Sequence, residues 1–357
     1  MNPMRTPAPT PSRTDDRPAA ATLPATSTNR VLALRRIPQT ILLALALVLG
    51  AAVPALAASQ TPRQIDAQVS MVDLAEQDSI QTLSVTITNS SREAMTGTTI
   101  TLHGPEGWTT SPEAITVAKR IQPGSRVTRT FDVRVPTLRD GFHSYTFTAD
   151  IAYTGGDGHG SITGERVQTS GEPIASLAAA RNNVGTTSLA QRAAGEFDGE
   201  GNSFSDAALK KEGVSRGSEI EGAGATFTWP DLGPAAKDNV VAQGQAISVD
   251  GSGSALALLA SGSGLNAAGT VTVYYTDGTT STGSLAVPNW TGVGAGVDTA
   301  EEVVASAGRN TPDGYANQDG TYRLYAVGVP LDSGKEIEAV QLPANATIHV
   351  FDLQIVG

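Results

Sequence analysis

Asp198, Glu200 and Asn202 alternate through the stretch Phe197 to Phe204, with glycines at 199 and 201 between them. Oxygen ligands at every second position of a tight turn are what a calcium loop presents. No bidentate Glu follows at the spacing of a full calcium loop, and Asp206 suits a helix start better than a ligand shell, so a solvated turn stapled by Phe197 and Phe204 stands beside the metal reading. A second set is aromatic. Trp229 precedes Pro230, Trp290 follows Pro288-Asn289, and Tyr315 lies in the stretch from Arg309 to Gln318. A sugar site joins such a ring with a few polar groups, and Arg309, Asn310 and Asn317 could supply them. Each of these residues also has a plain core or turn reading.

Catalytic chemistry is poorly supplied, and no enzyme is expected. A glycosidase needs two carboxylates held at a set separation, and nothing in the sequence pairs two of the 35 acidic residues in a cleft. Neither a Gly-x-Ser-x-Gly elbow nor His-Glu-x-x-His occurs, and four dispersed histidines argue against a serine triad or a histidine-rich metal site. Gly262-Ser-Gly264-Leu-Asn-Ala267 has the spacing of a dinucleotide fingerprint, but a strand rather than a helix is expected from Thr270, so it reads as a loop.

The elements that must position these residues are strands. Leu83, Val85 and Ile87 alternate with Ser84, Thr86 and Thr88, and Val127, Phe131, Val133 and Val135 share one face until Pro136 removes a ladder donor. Tyr145, Phe147, Ala149, Ile151 and Tyr153 share another. Trp108, after the Pro-x-Gly turn at 105–107, reads as a sandwich-edge core residue or as a sugar platform, and His143 as an ordinary strand residue. Gly155 to Gly160 suits a hairpin tip or the start of a linker. Farther on, Asp277-Gly278 suits a type I′ hairpin turn, Asn317 to Gly320 gives a second turn signal, and one short helix is expected over Asp206–Glu212, with Ser205 as N-cap and Gly213 as its stop.

Charge and composition narrow the partners. The chain of 357 residues carries a net charge of −11 and no cysteine. Residues 1–57 hold six arginines and two aspartates, so the rest carries −15. Five scattered lysines and that acidity make nucleic acid an improbable partner. Without cysteine an exported chain must rely on cores of ordinary size, and about 300 residues are enough for two. The apolar run 41–53, broken by Pro54 and followed by Ala55-Leu56-Ala57, reads as a secretory signal peptide over 1–57. If it is not cleaved, it becomes a membrane tether. Arg35-Arg36 leaves the export route open.

Two resemblances sharpen this. Thr88-Asn89-Ser90, Gly104-Pro-Glu-Gly-Trp108, Ile121-Gln-Pro-Gly-Ser125 and Val135-Pro136 lie in the order and spacing of the accessory domain associated with alpha-galactosidases and their putative carbohydrate-binding modules (the NPCBM-associated domain). The region over 64–165 resembles that family, which implies an immunoglobulin-like β-sandwich and no catalytic residue. Asn183-Val-Gly185, Phe197-Asp-Gly199, Gly201-Asn-Ser-Phe-Ser205, Phe227-Thr-Trp-Pro230, Asp238-Asn-Val-Val241, Trp290-Thr291, Arg309-Asn310 and Gly334-Lys-Glu-Ile337 resemble a jelly-roll accessory module of actinobacterial glycosidases and other exported proteins. That resemblance implies a second, jelly-roll-like sandwich over 181–357, after a linker at 166–180, and fixes no ligand.

The expectation is an all-β, secreted or cell-envelope accessory protein without catalysis. It would bind glycan or polysaccharide through Trp229, Trp290, Arg309, Asn310, Tyr315 and Asn317, with structural calcium at Asp198, Glu200 and Asn202 as the one cofactor considered. A spacer or protein-interaction module, or an uncharacterised glycoside hydrolase, are the alternatives. Oligomeric state is left open.

Overall fold

A computed structural model describes residues 62–357; the expected signal segment lies outside them. Eight strands come first: β1 (Ile65–Val69), β2 (Ser79–Asn89), β3 (Met95–His103), β4 (Thr109–Ser111), β5 (Ala114–Thr116), β6 (Arg126–Val135), β7 (His143–Gly155) and β8 (Ser161–Ser170). They form two four-stranded antiparallel sheets, ordered β1-β2-β6-β4 and β5-β3-β7-β8. The period-2 faces meet between them: Leu83, Val85 and Ile87 pack with Phe131, Val133, Phe147 and Ile151 in one buried cluster. Alternation is enough here because each sheet buries one face only. The 155–160 glycines form the β7–β8 hairpin tip, and β8 continues to Ser170, five residues into the expected linker.

The second region carries the one-turn helix α1 (Leu177–Ala180), then β9 (Thr186–Thr187), β10 (Ser203–Ser205), β11 (Glu219–Gly222), β12 (Ala225–Thr228), β13 (Val240–Val241), β14 (Ala246–Gly251) and β15 (Ala255–Gly262). After them come β16 (Ala268–Tyr275), β17 (Thr280–Ala286), β18 (Glu301–Thr311), β19 (Gly314–Pro330), β20 (Ile337–Gln341) and β21 (Ile348–Val356). A seven-stranded sheet, β13-β21-β15-β19-β18-β10-β9, faces a four-stranded one, β14-β20-β16-β17. The larger sheet is buried on both sides. On β15, Leu256, Leu258 and Ala260 enter the core between the two sheets, whereas Ala257 and Leu259 enter a second core beneath the β11–β12 hairpin and the short helix α2 (Asp206–Lys211). A run that is apolar at every position is what burial on both faces demands.

Turn chemistry was partly legible. α2 begins at Ser205, whose side chain accepts from Ala208 N, and Gly213 follows at φ 84°. The β16–β17 turn is not type I′. Only Gly278 is left-handed (φ 77°); Gly278 N donates to Tyr275 O (2.9 Å) and Tyr275 N donates to Thr279 O (3.0 Å), the pattern of a type I turn closed by a glycine bulge. Asn317 to Gly320 is not a chain reversal either. The β18–β19 turn falls at Pro312-Asp313, and 317–320 bulge out of β19 where Ala307 pairs Thr321 and Arg309 pairs Ala316.

The two sandwiches meet through β8. Val167 N donates to Gly278 O (2.9 Å), Arg166 donates to Asp277 O, and Phe142 meets Tyr274 edge-on at 5.3 Å. Ile174 then bridges to β14, accepting from Ser248 N and donating to Ala246 O.

Candidate functional site

Strand register gathers most of the expected ring-and-polar set at one corner of the second sandwich. The Arg309 guanidinium lies 5.6 Å from the Trp290 ring centroid and 5.7 Å from that of Tyr322, with Nη1 3.6 Å from Asp198. Trp290, however, is 3% exposed, held between Phe197 (4.7 Å) and Tyr322 (4.6 Å). Trp229 stands apart at 6% exposure, stacked on Phe351. Neither indole offers a face to a sugar: Trp229 continues the β11–β12 hairpin and packs on Phe351, and Trp290 is enclosed by Phe197, Phe204 and Tyr322, a layer that strand patterning does not announce. Asn310 is 1% exposed, its amide donating to Thr187 O. The Tyr315 hydroxyl donates to Ala307 O at 2.5 Å, and its ring lies where a side chain at Gly308 would stand. Asn317 alone of the set is exposed; it is left-handed (φ 49°) and donates to the Tyr322 hydroxyl at 3.0 Å, on the rim of a shallow depression with Asp319 and Arg323.

Asp198 and Asn202 do share the glycine-rich turn, with Glu200 exposed beside them. Asp198 accepts from Glu200 N (3.1 Å), Asn202 N (3.2 Å) and Asn202 Nδ2 (2.7 Å). The amide nitrogen of Asn202, not its oxygen, faces Asp198, and a guanidinium stands next to the carboxylate. This arrangement suits an internal cation and does not fit calcium, which needs convergent oxygens.

A polar seam that the sequence did not reveal lies below. Asp238 Oδ1 accepts from Gly185 N and Asn239 Nδ2, both at 2.8 Å. Asn239 Nδ2 also donates to Asn183 Oδ1 (3.0 Å), so Asn239 Oδ1 is left to accept from His349 Nδ1 (2.9 Å), and His349 Nε2 accepts from the Ser263 hydroxyl (3.1 Å). This fixes the neutral Nδ1–H tautomer. Burial drives the His349 pKa down to about 3, only partly opposed by Asp198, and burial raises that of Asp238 despite its hydrogen bonds. Gly185 is required by close approach: a Cβ there would stand 2.5 Å from Asn239 Nδ2.

The accessible aromatic pair lies in the first sandwich. Pro105-Glu-Gly-Trp108 closes a turn in which Trp108 N donates to Pro105 O (3.0 Å) and Gly107 takes φ 82°, the type II geometry. The turn leaves Trp108 half-buried, edge-on to Phe147 (5.5 Å) and tilted against Tyr145 (5.2 Å). The indole thus seals the sandwich end and also walls an open cleft of about 530 Å³ with Tyr145, Glu106, Arg139 and His143. His143 Nε2 lies 3.0 Å from Asp140 O, to which it donates. Sequence reasoning considered Trp108 but read Tyr145 as a core-face residue and had no signal for Glu106 or Arg139, which arrive on separate loops.

Two packed sandwiches with open clefts at their surfaces define a β-sandwich protein. Residues 174–356, more than half of the chain, match the AziU2-like beta-sandwich domain, and the chain belongs to that family. Residues 75–154 match the NPCBM-associated, NEW3 domain of alpha-galactosidase. Both are accessory modules and neither is a catalytic family. No curated protein matches the chain. Among solved structures, the C-terminal domain of the AgI/II polypeptide BspA of Streptococcus agalactiae aligns at 10% identity over 82% of this chain and 92% of that one, with a TM-score of 0.21. A second structure, BspA_C_WT, aligns at 10% identity over 78% and 85%, with a TM-score of 0.19.

Proposed function

We propose that this is an exported, non-catalytic accessory protein that binds glycan at the cell envelope or beyond it, through the Trp108–Tyr145 cleft. The observation that carries the reading is the half-buried indole beside a phenol in an open cleft whose polar groups are Glu106, Arg139 and His143. Aromatic faces suit the C–H surfaces of pyranose rings, and flanking donors and acceptors orient the hydroxyls. The match of this sandwich to a domain associated with alpha-galactosidase supports it, as does the apolar segment closing on Ala55-Leu-Ala57.

A glycan array probed with the full chain tests the binding, and Trp108→Ala is expected to weaken it at least about tenfold. An array on which the unaltered chain binds nothing overturns the reading. N-terminal sequencing of the extracellular protein is expected to start at Ala58; a chain retained whole in the membrane fraction would replace secretion by tethering.

A spacer role is the second reading, favoured by the direct hydrogen bonds of Val167 and Arg166 to the 277–278 turn, which hold the two sandwiches to each other. It predicts a silent array together with capture of a protein partner by the purified chain.

A further inference from the structure

One depression in this acidic protein is basic. Lys119 and Arg120, on the β5–β6 connection, and Arg126 and Arg129, on β6, line a cleft of about 290 Å³ floored by Val117 and Ile121. The stretch from Ala114 to Phe131 contains no Asp or Glu, although the chain beyond residue 57 carries −15. Lys210, Arg216, Arg309, Arg323 and Lys335 each meet a carboxylate, yet among the described residues none of these four does. Arg126 Nε donates to the Thr88 hydroxyl and Arg129 Nη1 to Thr128 O, which leaves most of both guanidinium forks uncommitted.

The register adds a reason for the cleft to be open. β4 pairs with β6 only from Asp132 to Arg134, so the edge of β6 from Arg126 to Thr130 has no neighbouring strand on that side. Charges on an exposed edge discourage the addition of another strand, which disfavours an extended peptide as the occupant. The lining holds no aromatic ring for a nucleobase to stack on. It also holds no ring for the face of a neutral sugar. What remains is recognition of oxyanions by guanidinium forks, which pair with carboxylate or phosphate through two parallel hydrogen bonds.

We propose that this cleft is a second binding site, taking the carboxylate or phosphate groups of an anionic polysaccharide. The anion rests on the cleft alone; the polysaccharide rests on the glycan reading above. The site lies about 30 Å along β6 from the Trp108 cleft, by the rise of a strand, so the two sites can be broken separately.

The test is retardation of the full chain in native gels containing polygalacturonate, a phosphodiester-linked glycan, neutral dextran or duplex DNA. One or both anionic glycans are expected to retard it, by an amount that falls as salt rises from about 50 to about 200 mM; the two polymers distinguish carboxylate from phosphate as the source of the anion. Arg126→Gln with Arg129→Gln is expected to weaken retardation about tenfold, while Lys211→Gln, which removes an exposed cation outside both clefts, leaves it unchanged. The pair Arg126→Lys with Arg129→Lys, which keeps the charge and loses the forks, should fall between and guards against a folding artefact. No retardation by either anionic glycan, equal retardation of the Gln variant, or equal retardation by DNA overturns the proposal. A Gln variant that dimerises while binding as before would show that the charges only protect the sheet edge. If anionic glycans retard the chain while the array of neutral sugars is silent, the basic site stands and the Trp108 site falls; the reverse result has the reverse meaning.

Discussion

Trp108 in the first sandwich and Trp290 in the second both follow a proline-containing turn, and both were candidates for a sugar platform. One is a half-buried wall of a cleft; the other is 3% exposed between Phe197 and Tyr322. The difference lies in the number of layers. The first sandwich has two sheets, and its ends remain open, so a ring at an end can serve core and surface together. In the second, the β11–β12 hairpin and α2 cover the outer face of the large sheet, and aromatic residues near that face become core. The cations divide in the same way: Arg309 is held over two rings and beside Asp198, whereas Arg126 and Arg129 meet no carboxylate among the described residues.

The largest test of that contrast is stability. Trp290→Ala removes a buried indole and should cost roughly 3–5 kcal/mol in urea unfolding, with glycan binding of the folded fraction retained. An effect below about 1 kcal/mol would mean that the ring is not core. Next comes pH. His349 is held neutral with a folded pKa of about 3 against an ordinary 6.5. Only the unfolded chain gains its proton below 6.5, so the histidine's contribution is present above that pH and is lost as pH falls toward 3. Linkage gives a loss of about 2 kcal/mol between pH 7 and pH 5. Asp238, with its raised pKa, acts in the opposite sense, its contribution being lost as pH rises above 3.8. The histidine is therefore isolated by the difference between the unaltered chain and His349→Gln, which should flatten the slope over pH 5–7; an unchanged slope would place the titration elsewhere.

Trp108→Ala should cost less stability, about 1–2 kcal/mol for a half-buried ring, but abolish most glycan binding, the inverse of the Trp290 result. The smallest effect concerns calcium. Because Asp198 already accepts three hydrogen bonds and faces Arg309, millimolar calcium should leave the melting temperature within about 1 °C of its value in chelator. A rise of several degrees would reinstate the metal.

Legibility followed the same division. In the first sandwich, alternation at Leu83–Ile87, Val127–Val135 and Tyr145–Tyr153 placed the core on the correct faces, because each sheet is buried on one side. In the second, the helix caps at Ser205 and Gly213 were readable, as local hydrogen bonds are set by local residues. The 317–320 segment was not. Its turn-forming residues serve equally well in a bulge, and pairing with β18 decides between the two. The Asn183–Asp238–Asn239–His349 seam was invisible because its members stand up to 166 positions apart, each ordinary alone.

By itself the sequence determined the all-β class, the order of two sandwiches, the acidity and the lack of recognisable catalytic groupings, since periodicity, turn residues and charge are local or additive properties. Tertiary structure alone decided which rings and which cations remain available to a ligand. Exposure depends on what packs over a residue from distant segments, and neither Trp108 nor Trp290, nor Arg126 nor Arg309, carries that information in its own neighbours along the chain.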